Sequence, residues 1–309
     1  MRITSLLSVL GLIASAVAQL PETPRFDLTQ PSYDLFRSKK LGGVTVQQSF
    51  TFDNVNRRLF VAQRRDGSDT KAGDLTISQL DFSGNLLGSM DLLGCGHGVN
   101  IAAQAVGDAT YLWTETDTAS SGYGQRLWRF EFVDGLTLDS AKDTDIERIL
   151  PVADADRCTC TIDPVSNNLV VRYQRDSKQN IAVFDLDEAT AGNFSTPLAD
   201  FLIPDLNDLS NVFQGYTAYG NYIYFLLGES YDASSGVLNS QVVSLDLNTG
   251  KIAQGPVMTR AGSTLEFREP EGMAIYKTVA GEVRLFLGFA SGKAGDRRCN
   301  LFYKNALVF

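Results

Sequence analysis

Five short apolar runs decide the fold of this chain: Leu59-Phe60-Val61, Tyr111-Leu112-Trp113, Leu169-Val170-Val171, Ile223-Tyr224-Phe225 and Leu285-Phe286-Leu287. They recur at intervals of roughly 50 to 60 residues, and self-similarity at such a period is typical of repeat architectures such as propellers. The runs are rich in β-branched or aromatic residues and lie next to turn-forming pairs such as Gly107-Asp108, which favours strands over helices. They predict the second strands of five blades, and therefore an all-β fold, a five-bladed β-propeller.

The last repeat lacks a strand. Four repeats end their third strand in a turn signature of alternating apolar and acidic residues, as in residues 80–84. The fifth repeat lacks this signature, runs through Leu301-Phe302-Tyr303 and stops at Phe309, so it is one strand short of four. An open blade would expose unpaired backbone groups, which closed propellers avoid. The segment from about 26 to 41 precedes the first repeat and has a strand-like core at 33–36. We therefore predict that this N-terminal segment supplies the outer closing strand of the last blade.

The first 18 residues show the pattern of a secretory signal peptide. Arg2 is followed by an apolar run and by Ala16-Val17-Ala18, a small-residue cleavage pattern. The run is too short to span a membrane, and no later segment approaches 18 uninterrupted apolar residues. Residues 19–309 are long enough for one large core. We expect a secreted, extracellular single-domain monomer without a membrane span.

The charge of the chain argues against a nucleic-acid partner. The formal net charge is -9, and no block of Lys or Arg interrupts the acidic composition. Phosphate backbones are bound by clustered positive charge. A glycan or another small polar ligand is the expected partner.

Four cysteines, namely Cys95, Cys158, Cys160 and Cys299, accompany the secretory pattern. An oxidising compartment favours two disulfide bonds, with three possible connectivities. A zinc site would need more His or Cys pairs than a chain with one histidine offers, so no metal and no cofactor are predicted. Asn193 begins the sequon Asn193-Phe194-Ser195 and is a predicted glycosylation site.

The chemistry of the chain is expected at one mouth of the propeller. In this architecture the starts of the inner strands and the loops after the second strands come out on the same face. Residues at these positions are unusually polar and rich in Arg and Tyr, which suit carboxylates and sugar rings. The candidates for substrate binding are Gln48, Arg64, Tyr123, Arg175, Gln214, Glu269 and Arg297, and the same loops also contain Arg172.

His97 is the single histidine and lies between two glycines at the predicted mouth. Its titration range makes it a candidate general base or acid, with Arg157 to neutralise an acidic group and Glu271 as a partner. The alternative is structural: His97, Gln48, Gln214 and Glu271 would hydrogen-bond to one another and to water, and so fill the channel.

Several segments together resemble a known family. These are 26–28, 31–35, 48–53, 59–63, Gly96-His97-Gly98, Tyr123-Gly124 and Glu269-Pro270-Glu271-Gly272. They are similar to the secreted five-bladed propellers grouped with teichoic acid biosynthesis protein C, which share their propeller with the receptor-binding domain of certain staphylococcal phages. The resemblance implies a five-bladed propeller and a connection with carbohydrate, but it brings no catalytic residue.

Two hypotheses of different classes follow, and whether the protein is an enzyme stays open at this point. The first is a secreted module that recognises a carbohydrate through an Arg- and Tyr-rich face. The second is a carbohydrate-active enzyme, above all a polysaccharide lyase in which His97 is the base and Arg157 neutralises a uronate carboxylate. A glycosidase with Glu269 or Glu271 opposite Glu115 or Glu229 is a further alternative.

Overall fold

The computed structural model describes residues 19–144, 146–206 and 212–309, so the signal peptide predicted over 1–18 lies outside the described residues. The strands β1 (Arg25–Phe26) and β2 (Tyr33–Lys39) precede the first blade. Blade 1 contains β3 (Gln47–Asp53), β4 (Arg58–Arg64), β5 (Leu75–Leu80) and β6 (Leu86–Leu93). Blade 2 contains β7 (Ala102–Val106), β8 (Ala109–Thr118), β9 (Gly124–Glu131) and, after the short strand β10 (Thr137–Asp139), β11 (Glu147–Ile149).

The remaining blades follow the same order along the chain. Blade 3 contains β12 (Asp156–Asp163), β13 (Asn168–Arg175), β14 (Lys178–Asp185) and, after the helix α1 (Leu186–Thr190), β15 (Ala199–Leu202). Blade 4 contains β16 (Phe213–Tyr219), β17 (Tyr222–Leu227), β18 (Gln241–Asp246) and β19 (Lys251–Met258). Blade 5 contains β20 (Glu269–Lys277), β21 (Val283–Lys293) and β22 (Asp296–Lys304), and the last strand of the chain is β23 (Leu307–Val308).

The five apolar runs lie where the sequence predicts them, on the second strand of each blade. They fall in β4, β8, β13, β17 and β21, and their side chains are buried, with the partial exception of Tyr111. Both faces of these strands pack against neighbouring blades, which is why the runs are continuous rather than alternating. The prediction of an all-β five-bladed propeller is confirmed.

The N-terminal segment completes the last blade, as predicted. β2 pairs antiparallel with β22, from Tyr33 opposite Tyr303 to Lys39 opposite Cys299. The two ends of the chain also meet, because β1 pairs antiparallel with β23. This closure removes the exposed edge that blade 5 would otherwise present.

Blade 2 departs from the simple hairpin pattern that the sequence predicts. After β9 the chain first adds β10 in parallel to β6 of blade 1, and only then returns as β11 to the outer edge of its own blade. Asp134 fixes this excursion, because its carboxylate accepts the N–H of Ser89 in blade 1 at 2.7 Å. The excursion ties blades 1 and 2 together.

The expectation of two disulfide bonds is wrong for this structure. Cys95, Cys158, Cys160 and Cys299 are all free and buried. Cys158 and Cys160 share the core between blades 2 and 3, whereas Cys95 and Cys299 lie in two other apolar clusters. Burial raises the pKa of each thiol, so these cysteines act as small apolar core residues.

Two other sequence features have simple outcomes. Among the described residues, no helix is long and apolar enough to cross a membrane. Asn193 is exposed just after α1, and its side-chain amide donates to Glu188 at 2.7 Å. Its glycosylation stays a prediction.

The closing strand predicts a measurable contribution to stability. Phe36 on β2 is buried in the apolar cluster between blades 5 and 1, so Phe36→Ala should lower the free energy of unfolding by about 3 kcal/mol. Val55→Ala, in an exposed turn, is the control and should change it by less than about 0.5 kcal/mol. Urea unfolding measures both. Equal stability of the two variants would contradict closure by β2.

Candidate functional site

A cavity of about 730 Å³ opens at the mouth where the inner strands begin. Of the residues predicted for substrate binding and for lyase chemistry, all but Arg175 line it: Gln48, Arg64, His97, Tyr123, Arg157, Gln214, Glu269, Glu271 and Arg297. The structure thus brings together side chains from all five blades. Arg175 lies instead at the hairpin between β13 and β14, with its guanidinium carbon 5.5 Å from the ring centroid of Tyr173.

Irregular strand pairing puts the candidates there. The register between inner and second strands shifts at Gln48 in blade 1 and at Gln214 in blade 4, so that each of these residues is an extra residue in its strand. The same shift includes Arg157 in blade 3 and Glu271 in blade 5. A β-bulge re-aims side chains that regular alternation would direct elsewhere. Four blades therefore use one device to place a polar side chain at the cavity.

The backbone packs closely at the residues that follow Gln214 and Glu271. Gly215 and Gly272 have positive φ values of 142° and 86°. A Cβ on Gly215 would lie 2.8 Å from Cα of Gly272, and a Cβ on Gly272 would lie 2.8 Å from Cα of Ser49. The inner strands of blades 4, 5 and 1 can approach this closely only because both residues are glycines.

An aromatic stack forms one wall of the cavity. The rings of His97 and Tyr123 are stacked, with centroids 5.1 Å apart and planes 22° apart. The guanidinium carbon of Arg157 also lies 5.1 Å from the Tyr123 ring centroid. Burial, and then the charge of Arg64, lower the pKa of His97, so its imidazole is neutral near pH 7. The stack therefore brings a neutral base, a phenol ring and a cation close together.

Glu115 joins the two loops that carry His97 and Tyr123. The N–H groups of Gly98 and Val99 donate to one carboxylate oxygen at 2.7 and 3.2 Å, and the N–H of Gly124 donates to the other at 2.6 Å. The carboxylate thus joins the loop of His97 to the loop of Tyr123. Burial raises the pKa of Glu115 to about 7, although the backbone N–H groups oppose the shift.

The cavity is rich in positive charge although the chain is acidic. Arg64, Arg157, Arg172 and Arg297 line it, and none of them forms an ion pair with a described residue. Glu269 and Glu271 also line it, and burial raises the pKa of both carboxyls, well above the ordinary value in the case of Glu271. The balance favours an anionic ligand.

The structural alternative for the polar residues is only partly supported. Gln48 donates to Glu271 at 3.4 Å, and Gln214 donates to the backbone oxygen of Gly228 at 3.0 Å. These bonds fix the side chains, but they leave the cavity open rather than filled. The residues are therefore available to a ligand.

The sequence misplaced some residues and missed others. Glu115 is fully buried, and neither it nor Glu229 lines the cavity, so the paired carboxylates of a glycosidase have no support from this arrangement. Arg172 lies on β13 rather than in a loop. Phe213 and Gln179 also line the cavity, although they were not identified from the sequence. The position of Phe213 directly before Gln214, at the entry of an inner strand, was the signal that could have identified it.

The fold and the site define a five-bladed propeller with a polar cavity at one mouth. Residues 46–303 match the model of the phage five-bladed β-propeller receptor-binding platform domain. Because the match covers most of the chain, the chain belongs to this family.

Two known proteins are similar to this chain, one in sequence and one in fold. A "putative major teichoic acid biosynthesis protein C" of Bacillus subtilis is 30% identical over an alignment of 291 residues that covers 90% of this chain and 63% of that protein. The tail fibre of Staphylococcus aureus phage P68 has the same fold, with a TM-score of 0.70 and 20% identity over 92% of this chain and 52% of the fibre. The chain therefore spans less than two thirds of the length of either protein.

The buried Glu115 predicts a specific dependence of stability on pH. Its pKa of about 7 in the folded protein exceeds the value of about 4.3 for an unfolded chain, so the folded state binds the proton more tightly. The resulting stabilisation is present at low pH and is lost as the pH rises through about 7. Glu115→Gln should therefore lose less stability than the wild type between pH 5 and 8 in urea unfolding.

The exposed Glu131 on the same blade provides the control for this prediction. Glu131→Gln removes the same charge from the surface and should follow the wild-type curve. Parallel curves for Glu115→Gln and the wild type would contradict a raised pKa at Glu115.

Proposed function

We propose that the protein is an extracellular propeller that recognises a carbohydrate in the cavity at its mouth. The observation behind this proposal is the stack of His97, Tyr123 and Arg157 in an open cavity of about 730 Å³. An aromatic face packs against the apolar face of a sugar ring, and Arg donates to its hydroxyl and anionic groups. The cavity is also large enough for a small oligosaccharide.

The relatives support a role at cell surfaces. The family is described as a receptor-binding platform, one relative is a tail fibre, and another bears the name of teichoic acid biosynthesis. These descriptions agree with recognition of a surface ligand. The four arginines of the cavity outnumber its two glutamates, whose pKa values burial raises, and so favour an acidic glycan over a neutral one.

A second candidate function, polysaccharide lyase, is favoured by the closeness of His97 and Arg157 around Tyr123. Arg157 would neutralise the uronate carboxylate, and the neutral His97 would remove the proton from the carbon that bears this carboxylate. The electron pair of that C–H bond would form a C=C bond as the glycosidic C–O bond breaks, and the departing oxygen would take a proton from water. Binding remains the principal proposal because it requires only the surfaces already described.

A panel of acidic and neutral oligosaccharides tests both functions. We expect binding without cleavage by the wild type, measured by titration calorimetry. Tyr123→Ala should weaken binding by at least about 10-fold, because it removes the ring that joins His97 and Arg157 in the stack. Tyr33→Ala is the matched control, since Tyr33 is exposed on β2 and does not line the cavity.

The products of the same incubations separate binding from catalysis. Absorbance of unsaturated uronate that appears with the wild type and disappears with His97→Ala would replace the binding proposal by the lyase. If no member of the panel binds the wild type at millimolar concentration, carbohydrate recognition is wrong.

A further inference from the structure

Arg172 lines the cavity and has a buried donor without a hydrogen-bond partner. It lies on β13 of blade 3, and its guanidinium carbon is 4.0 Å from the ring centroid of Phe213 in blade 4. Its Nε is buried and has no hydrogen-bond partner. The backbone N–H of Arg172 donates to the hydroxyl of Tyr216 at 3.1 Å, so the unsatisfied donor is the Nε of the side chain. Buried donors without acceptors are rare because they lose water without replacing it.

The surroundings do not neutralise this cation. The pKa of Arg172 is lowered to about 10, first by burial and also by the charge of Arg157, while Tyr216, Tyr123 and Glu115 act in the opposite direction. The carboxylate of Glu115 is engaged by backbone N–H groups. Arg172 is still charged at neutral pH, and together with Arg157 it forms a pair of cations that lacks an ion-pair partner among the described residues.

An acceptor without a partner lines the same cavity. The Oε1 atom of Gln179 is buried and accepts no hydrogen bond, whereas its Nε2 donates to Gln174 at 2.8 Å. The bond to Gln174 fixes the amide. A ligand that satisfies this cavity therefore needs an anionic group for Arg172 and a hydroxyl donor for Gln179.

We propose that Arg172 and Arg157 form an oxyanion subsite that binds the negatively charged group of a sugar, while Gln179 accepts a hydroxyl of the same ligand. This inference rests on the proposed function and names the class of glycan: one whose units bear a carboxylate or a phosphodiester. A guanidinium binds either group through two parallel hydrogen bonds. The ring of Phe213 supports the guanidinium plane, which a lysine ammonium could not use in the same way.

Three probes test the subsite: a glucuronate tetrasaccharide, its carboxyl-reduced neutral counterpart, and a glycerol phosphate oligomer of equal charge. Titration calorimetry compares the wild type with Arg172→Gln and Arg172→Lys. Arg172→Gln should weaken binding of at least one anionic probe about 10- to 100-fold, as expected for a lost hydrogen bond to a charged group. Binding of the neutral probe should change less than about 2-fold, and Arg172→Lys should restore only part of the loss.

The control is Arg129→Gln on blade 2. Arg129 has the same kind of aromatic contact, with its guanidinium carbon 4.1 Å from the Tyr111 ring centroid, but it does not line the cavity. It should bind all probes like the wild type.

The outcomes separate this inference from the function beneath it. A change of less than about 2-fold for both anionic probes in Arg172→Gln, or an equal loss for all three probes, would overturn the subsite and leave carbohydrate recognition standing. A wild type that binds none of the three probes or the wider panel would contradict carbohydrate recognition itself. Whichever anionic probe loses affinity in Arg172→Gln identifies the source of the charge.

Discussion

The site depends on the extra residue at the entry of the inner strands. Where regular pairing would continue, the strands of blades 1, 3, 4 and 5 shift register, and the shifts include Gln48, Arg157, Gln214 and Glu271. A bulge of this kind loosens the local ladder and redirects a side chain. Because the blades are arranged around one axis, four such shifts direct four polar side chains into one cavity. The polar mouth is therefore a consequence of a repeated backbone irregularity.

Blade 2 reaches the same cavity by another route. Its inner strand begins only at Ala102, and the preceding loop presents His97. The carboxylate of Glu115 holds this loop in place, because it accepts hydrogen bonds from backbone N–H groups of this loop and of the loop of Tyr123. A buried carboxylate is costly unless it is hydrogen-bonded, and here the bonds position the two stacked rings. The closing strand β2 keeps the ring of blades complete around this arrangement.

Much of the fold could be predicted from the sequence, because the repetition and the missing outer strand of the fifth blade are visible as patterns of residues. The position of Gln48 and Gln214 at strand entries was visible as well. The burial of Glu115 could not be predicted, because a register shift of one residue moves a side chain to the opposite face. The prediction of disulfides was wrong because the oxidising compartment and the number of cysteines say nothing about the distance between the blade cores in which they lie. The contact of Arg172 with Phe213 lies between blades 3 and 4, and no local sequence pattern indicates it.

We expect a ligand to bind where the arginines, Tyr123 and His97 meet. A crystal structure of the protein with a bound acidic oligosaccharide tests it most directly. The sugar should lie in the cavity, with its ring on the stack of Tyr123 and its anionic group within hydrogen-bond distance of Arg157 and Arg172. A sugar bound on the outer strands of the blades or at the opposite mouth, with the cavity empty, would contradict it.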